Sequence, residues 1–356
     1  MTLDFQNLLN NSLRIFFKDA LRVAFTNPSQ AYFFFQTLRR QKKATCIREK
    51  WALQGIQVPP IMIFSITDRC NLHCKGCYNQ ALRQSPQTEM SAEKLRSIFD
   101  EAKELGISFI ILGGGEPLMR REIIDITMDY PEIVFLLFTN GLLIDEDVVA
   151  RLNKQKNLVP IISLEGYQTD TDDRRGIGVY DRLLHIVGKI KSTGLFWGTS
   201  LTMTKMNYAT ITDELFVKKL VDLGCKLFFL VEYNPIREGT ENLVLTEEQR
   251  TSILSLRDSF RSKFSALFIA IPGDEEEIGG CLSAGKGFIH ISAEGNVEPC
   301  PFIPYSDTNL RDLSLKEALQ SDFLKKIRQN HAQLSEIGGC ALWEKREWIQ
   351  SLLQSQ

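Results

Sequence analysis

The chain has 356 residues, 44% of them hydrophobic and 24% charged, with a formal net charge of −2. That is the balance of a globular protein large enough for one enlarged domain or two to three smaller units, and it excludes a disordered or fibrous chain. No run approaches the roughly 18 consecutive apolar residues of a membrane span. The opening MTLDFQNLLNNS lacks the basic start and unbroken apolar stretch of a secretory signal, so a cytoplasmic protein with reduced thiols is expected.

The charge is unevenly spread. Residues 1–50 hold nine Lys and Arg against three Asp and Glu, a surplus of +6 over a remainder of −8. Residues 1–57 read as a basic amphipathic helical segment of two helices broken at Asn27-Pro28-Ser29, where Asn27 suits an N-cap and Pro28 a first helical position. Leu9, Leu13, Phe16, Phe17, Ala20 and Ala24 recur at helical spacing beside a basic row of Arg14, Lys18 and Arg22. The second helix carries Tyr32 to Phe35, then Arg39, Arg40, Lys42 and Lys43. Such a pair can cap a barrel, or lie in a membrane interface as a peripheral contact through residues 1–45. No motif for nucleic acid accompanies it, and none is expected as a partner.

Beyond Pro59-Pro60 the pattern alternates. Strands are predicted at 61–67, 108–112, 133–138, 159–163, 197–202 and 226–232, with helices near 91–105, 121–129, 145–154, 180–193 and 209–223. Ser91 precedes the first of these helices as a cap, with Lys94 where a capping box has its acid. Six strands with intervening helices imply an α/β fold with a parallel sheet, flat or rolled into a barrel, and ligands gather at the carboxyl ends of such strands.

Polar and glycine-rich segments fall at those ends. DRCNLHCKGC follows the first strand, GGGEP (113–117) the second and TNG (139–141) the third, while Ser163 and Glu165 close the fourth. Three cysteines within eight positions can hold zinc, pair as disulfides or bind an iron–sulfur cluster. Zinc could draw on Cys70, Cys74, Cys77 and His73, although His73 directly precedes Cys74 and simultaneous ligation is awkward. The glycine segment lacks both G-x-G-x-x-G and Gly-Lys-Ser/Thr, so neither nucleotide fingerprint is present.

Over roughly residues 58–240 the chain resembles the radical S-adenosylmethionine (radical SAM) enzymes, on the C-x3-C-x2-C spacing of Cys70, Cys74 and Cys77 after the first strand, the GGGEP segment and the stretch SLEGYQTDTDDRRG. The resemblance implies a partial (β/α)6 TIM-like barrel in which three thiolates hold a 4Fe-4S cluster and leave one iron open for S-adenosylmethionine. An electron from the cluster then breaks the sulfonium bond, giving methionine and a 5'-deoxyadenosyl radical that abstracts hydrogen from substrate. It further implies that Gly114, Gly115 and Glu116 meet the cofactor's amino group, that Ser163 and Arg175 stand near its carboxylate, and that Asn140 lines the same site. The residue before the third cysteine is usually an aromatic that packs on adenine. Here it is Gly76, and Tyr78 is the nearest substitute.

Residues 241–356 read as a linker helix and a small α+β domain with a second cysteine set. Cys281, Gly295 and Cys300 reproduce the C-x(9–15)-G-x4-C opening of the SPASM and twitch extensions of this superfamily, around a Gly295-Asn296 hairpin turn. NLRDLSLKEALQSDFLKKIR resembles the helix that follows, and Cys340 comes after it. The C-x2-C-x5-C-x3-C block of a full SPASM domain is missing, so the expectation is one auxiliary 4Fe-4S cluster on Cys281, Cys300 and Cys340. Cys225 reads as buried and inert.

The resemblance implies hydrogen abstraction and an electron donor such as flavodoxin or ferredoxin, but no substrate. The basic aromatic helices favour a small molecule or lipid over a peptide or protein substrate. An iron–sulfur electron-transfer protein and a zinc-stabilised binding module remain as alternatives from other classes, the first disfavoured by GGGEP.

Overall fold

The computed structural model describes residues 3–24, 28–83, 88–276, 280–334 and 340–354. Two helices come first, α1 (Leu3–Ala24) and α2 (Pro28–Leu53). The alternating part follows as β1 (Ile61–Thr67), α3 (Tyr78–Leu82), α4 (Ala92–Leu105), β2 (Phe109–Gly114), α5 (Glu122–Met128), β3 (Val134–Thr139), α6 (Glu146–Lys154), β4 (Leu158–Leu164), α7 (Gln168–Arg175), α8 (Val179–Thr193) and β5 (Trp197–Met203). Then come α9 (Tyr208–Ile211), α10 (Glu214–Asp222), β6 (Cys225–Glu232), α11 (Glu247–Lys263), β7 (Leu267–Ile271), α12 (Gly273–Glu276), β8 (Phe288–Ile291) and β9 (Val297–Glu298).

The nine strands among the described residues form one sheet in the order β7-β6-β5-β4-β3-β2-β1-β8-β9. Neighbours from β7 to β8 are parallel, and β9 returns antiparallel to β8. The sheet has the partial barrel-like architecture of the radical SAM fold. It also runs across the boundary expected at residue 240. The stretch ALFIAI adds β7 at one edge, and β8 joins β1 with Ile63 opposite His290.

Alternation along each strand makes two apolar faces. Met62, Phe64, Ile110, Leu112, Phe135 and Leu137 pack on the surrounding helices. Phe109, Leu136, Ile161, Phe229 and Leu267 face inward, where they meet Ala20, Val23 and Phe34 of the two leading helices. Those helices plug the amino end of the sheet. Gln30 Nε2 donates to the Gly194 carbonyl just before β5 at 2.6 Å, Arg48 Nη1 to the Gly106 carbonyl before β2 at 2.6 Å, and Ser108 Oγ to Gln41 Oε1 at 2.6 Å. Of the aromatics considered for a membrane interface, Phe34 is buried on Phe196, whereas Tyr32 and Phe35 are exposed. No helix among the described residues is long and apolar enough to cross a membrane. The Asn27 cap and the side chains of Phe17 and Ala24 lie outside the described residues.

Local chemistry accounts for most element ends. Ser91 Oγ accepts from the Lys94 amide at 3.2 Å, and α4 ends at Gly106. The helix expected across 309–328 is instead two short ones, Leu315–Ala318 and Asp322–Gln329. Ser314 opens the first with a full capping box to Glu317, and Ser321 accepts from the Leu324 amide to open the second.

Candidate functional site

The carboxyl ends of β1 to β4 build the site. After Thr67 the chain leaves β1 and lies against the exit of β2. The Gly115 amide donates to the Thr67 carbonyl at 2.7 Å and the Glu116 amide to the Arg69 carbonyl at 2.8 Å. A Cβ on Gly114 would stand 2.4 Å from the Thr67 carbonyl, and one on Gly115 2.1 Å from the Arg69 carbonyl. Only glycine allows this approach, which sets the position of Cys70.

Glu116 has no exposed surface. Its Oε1 accepts from the Leu118 amide at 3.0 Å and from the Thr139 hydroxyl at 2.7 Å, and its Oε2 from the Asn140 amide at 2.7 Å. The carboxylate expected to meet an amino group therefore already clamps the exit of β2 to that of β3. Burial pushes it above the usual carboxylate range, against these hydrogen bonds. Asn140 in turn points at the cysteine loop, its Nδ2 lying 2.7 Å from Asn71 Oδ1 and 3.8 Å from Cys70 Sγ.

A buried cationic group approaches from β4 and α7. Arg175 donates to Glu165 Oε1 at 2.9 and 2.5 Å, and its Nη1 lies 3.9 Å from Cys74 Sγ. Arg174 donates to the same oxygen at 2.5 Å, and the Lys75 amide to the Arg174 carbonyl at 2.9 Å, tying α7 to the cysteine loop. Burial disfavours the Arg175 cation, yet Glu165 and the Cys74 and Cys77 thiols outweigh it and its pKa rises. The other Glu165 oxygen, Oε2, is buried without a hydrogen-bond partner. Two guanidinium groups against one carboxylate leave a positive balance beside Cys74. Burial pushes the Cys70 and Cys74 thiols up, Arg175 and Arg174 pulling Cys74 back down.

Among the described residues no three His, Cys, Asp or Glu side chains converge as ligands of a single metal ion. A cube is held at three different corners, so its thiolates stand farther apart than ligands sharing one ion. N–H donors aimed at two of the three sulfurs suit thiolates, whose cluster potentials such hydrogen bonds adjust.

The family model for the radical SAM superfamily matches residues 64–216, the segment that carries this loop and its rim. Residues 64–216 thus form a radical SAM domain. A second family model, an iron–sulfur cluster-binding domain of the SPASM type, matches residues 281–341. The radical SAM domain implies a 4Fe-4S cluster with S-adenosylmethionine, and the SPASM domain implies auxiliary iron–sulfur clusters. The AdoMet-dependent heme synthase of Methanosarcina barkeri is 26% identical over 312 residues, covering 79% of this chain and 88% of that protein. The mycofactocin maturase MftC of Mycobacterium tuberculosis is 26% identical over 264 residues, covering 70% of this chain and 66% of that protein. Among solved structures, Streptococcus suis SuiB bound to precursor peptide SuiA aligns with a TM-score of 0.65 at 19% identity, over 87% of this chain and 75% of that one. That likeness concerns the fold.

Within the radical SAM domain, Ser163 lies half-buried on β4 opposite Ser200, on the inner face with Ile161. Tyr78, following Cys77, packs edge-on against Phe302 of the SPASM segment, with ring centroids 5.0 Å apart. The space over Gly76 is filled from β6. The hydroxyl of Tyr233 donates to Thr240 Oγ1 at 2.7 Å, and the Arg174 guanidinium stands 5.9 Å from its ring centroid. Sequence reading passed over Arg174, Phe302 and the Gly76–Tyr233 contact. The run of two arginines in DDRRG was the only local signal for any of them.

Cys281, Cys300 and Cys340 all line one hollow of about 530 Å³ inside the sheet's curl, closed on one side by α1. Cys70, Cys74 and Cys77 do not line it. Its wall includes Phe302, whose ring touches Tyr78 beside Cys77. Cys225 is buried at the start of β6, where its thiol is pushed up by burial, and Cys46 is exposed on α2.

Proposed function

We propose that Cys70, Cys74 and Cys77 hold the 4Fe-4S cluster at which this enzyme cleaves S-adenosylmethionine, and that it abstracts hydrogen from a small molecule. When bound, the reduced cluster and S-adenosylmethionine supply a one-electron cleavage that yields methionine and a 5'-deoxyadenosyl radical, which takes a hydrogen atom from the substrate. The observation that carries the reading is the paired approach of Asn140 Nδ2 to Cys70 Sγ and Arg175 Nη1 to Cys74 Sγ, at 3.8 and 3.9 Å. Glycines 114 and 115 let the loop reach the rim, and Glu116 holds that rim from below. Arg175 and Arg174 offset negative charge at the sulfurs and leave a cationic wall suited to a carboxylate. Cys281, Cys300 and Cys340 would hold one auxiliary cluster, and a ferredoxin or flavodoxin would deliver the electron.

The relatives named as a heme synthase and as a mycofactocin maturase are equally identical, the first covering 79% of this chain and the second 70%, and identity this low does not name a substrate. The size and apolar lining of the hollow beside Cys281, Cys300 and Cys340 support a small molecule over a peptide. Anaerobic reconstitution with iron counting, visible spectra and an assay for 5'-deoxyadenosine tests the chemistry. The wild type is expected to bind iron at both sites and to release 5'-deoxyadenosine under dithionite, and Cys74→Ala to lose that release. Zinc without iron, or undiminished cleavage by Cys74→Ala, would overturn the assignment.

A further inference from the structure

The hollow lined by the auxiliary cysteines is built almost wholly of hydrocarbon. Ile63, Ile111, Val231 and Ile269 face it from four strands, each only partly buried, and Leu13 and Phe16 close it from α1. At about 530 Å³, of which a cluster on Cys281, Cys300 and Cys340 would take a share, it is of the order of small-molecule sites, roughly 300–1,000 Å³. Its polar groups lie where α1, β6 and the β7 region meet it, and the charged ones are already matched. Asp19 faces Arg22 at 3.9 Å, Glu232 accepts from Arg250 at 2.7 Å, and Asp274 lies between Arg257 and Arg261. Each charged side chain of this wall among the described residues therefore has an opposite charge at hand. A ligand carrying several carboxylates would have to break those pairs, whereas an uncharged chain would not.

We propose that this hollow seats the substrate, and that the substrate is a neutral, largely hydrocarbon molecule built on a prenyl or acyl chain. The proposal rests on the radical SAM reading and deepens it. Cys281, Cys300 and Cys340 border the seat, and Phe302 joins it to Tyr78 at the end of the radical SAM cysteine loop.

The test uses the full chain, reconstituted anaerobically, with the neutral fluorophore N-phenyl-1-naphthylamine as probe. It is expected to bind at one site per chain and to be displaced by farnesol or dodecanol but not by iron-coproporphyrin III. The order of the two alcohols assigns the chain as prenyl or acyl. Ile111→Trp and Val231→Trp, on different strands, fill the hollow and are expected to weaken probe binding at least tenfold. Circular dichroism and iron content establish that each variant is folded and loaded. Displacement by the iron-coproporphyrin alone, or unchanged binding in both folded variants, overturns the proposal. Release of 5'-deoxyadenosine from S-adenosylmethionine is measured on the same preparations. Release without probe binding defeats the seat and leaves the radical chemistry standing. Probe binding without release does the reverse.

Discussion

A Cβ atom on Gly76 would lie 2.3 Å from the Tyr233 hydroxyl and 2.9 Å from its ring carbons. The residue before the third cysteine of the loop and the residue that follows β6 thus compete for one space, and this chain gives it to the tyrosine. Gly76 also has φ +66°, a left-handed conformation costing other residues about 1–2 kcal/mol. Gly76→Ala is expected to lose at least that much stability, plus a collision with the ring. Adding Tyr233→Ala should relieve the collision, so the double variant should lose less than the sum of the single losses. Denaturant unfolding of all four proteins measures the coupling, and strict additivity would show that the contact has no energetic weight.

Glu116→Gln keeps the shape of the side chain but sets an NH2 group against a donor, either the Asn140 amide or the Leu118 amide and Thr139 hydroxyl. With the site fully buried, the loss should be about 1–3 kcal/mol. Because this carboxylate joins the two rim segments that flank Cys70, iron bound per chain after reconstitution should fall with it. Wild-type melting and wild-type iron content together would remove Glu116 from the rim's support.

Arg175→Gln removes a cation 3.9 Å from Cys74 Sγ while Arg174 still covers Glu165. Positive charge favours the reduced, more negative cluster, so its loss should lower the reduction potential. The expected shift is on the order of tens of millivolts, about 59 mV corresponding to a tenfold change for one electron. A redox titration followed by electron paramagnetic resonance reads the sign directly, and an upward shift would contradict the geometry.

Asp145 caps α6, its Oδ1 accepting from the Val148 amide at 2.9 Å, and it also meets Arg121 at 2.7 Å. The Val148 hydrogen bond, followed by Arg121, holds its carboxyl below the ordinary value near 3.9. A depressed folded value means stability present above the unfolded value and lost as pH falls through the folded one. Asp145→Ala should therefore cost about 1 kcal/mol near neutral pH. Its melting gap from the wild type should narrow as pH drops below about 4. Melting curves from pH 7 to pH 3 check this, and a gap independent of pH would leave the carboxylate's charge without a part.

The six strands at 61–67 to 226–232 were legible because apolar runs of strand length alternate with amphipathic helices, and each pattern is contained in one short window. The cysteine loop was legible for the same reason, since three cysteines on eight residues form a pattern that needs no partner from elsewhere. β7 was not among those strands although ALFIAI has the same character, because the expected barrel ended at residue 240. The single helix expected over 309–328 failed on Ser314 and Ser321, whose side chains accept from amides three residues on and restart the helix.

Spacing and periodicity thus carried the chemistry of the loop, the alternation of the sheet and the character of its rim, all properties of neighbours along the chain. Folding alone brought Ser65 within 2.8 Å of His290, 225 residues away, and His290 within 2.8 Å of Glu298, two places before Cys300. It likewise laid Tyr233 over Gly76 and drew three distant cysteines around one apolar hollow. These meetings depend on strand order and on the curl of the sheet, which arise from the summed burial of the whole core and which no short window of residues encodes.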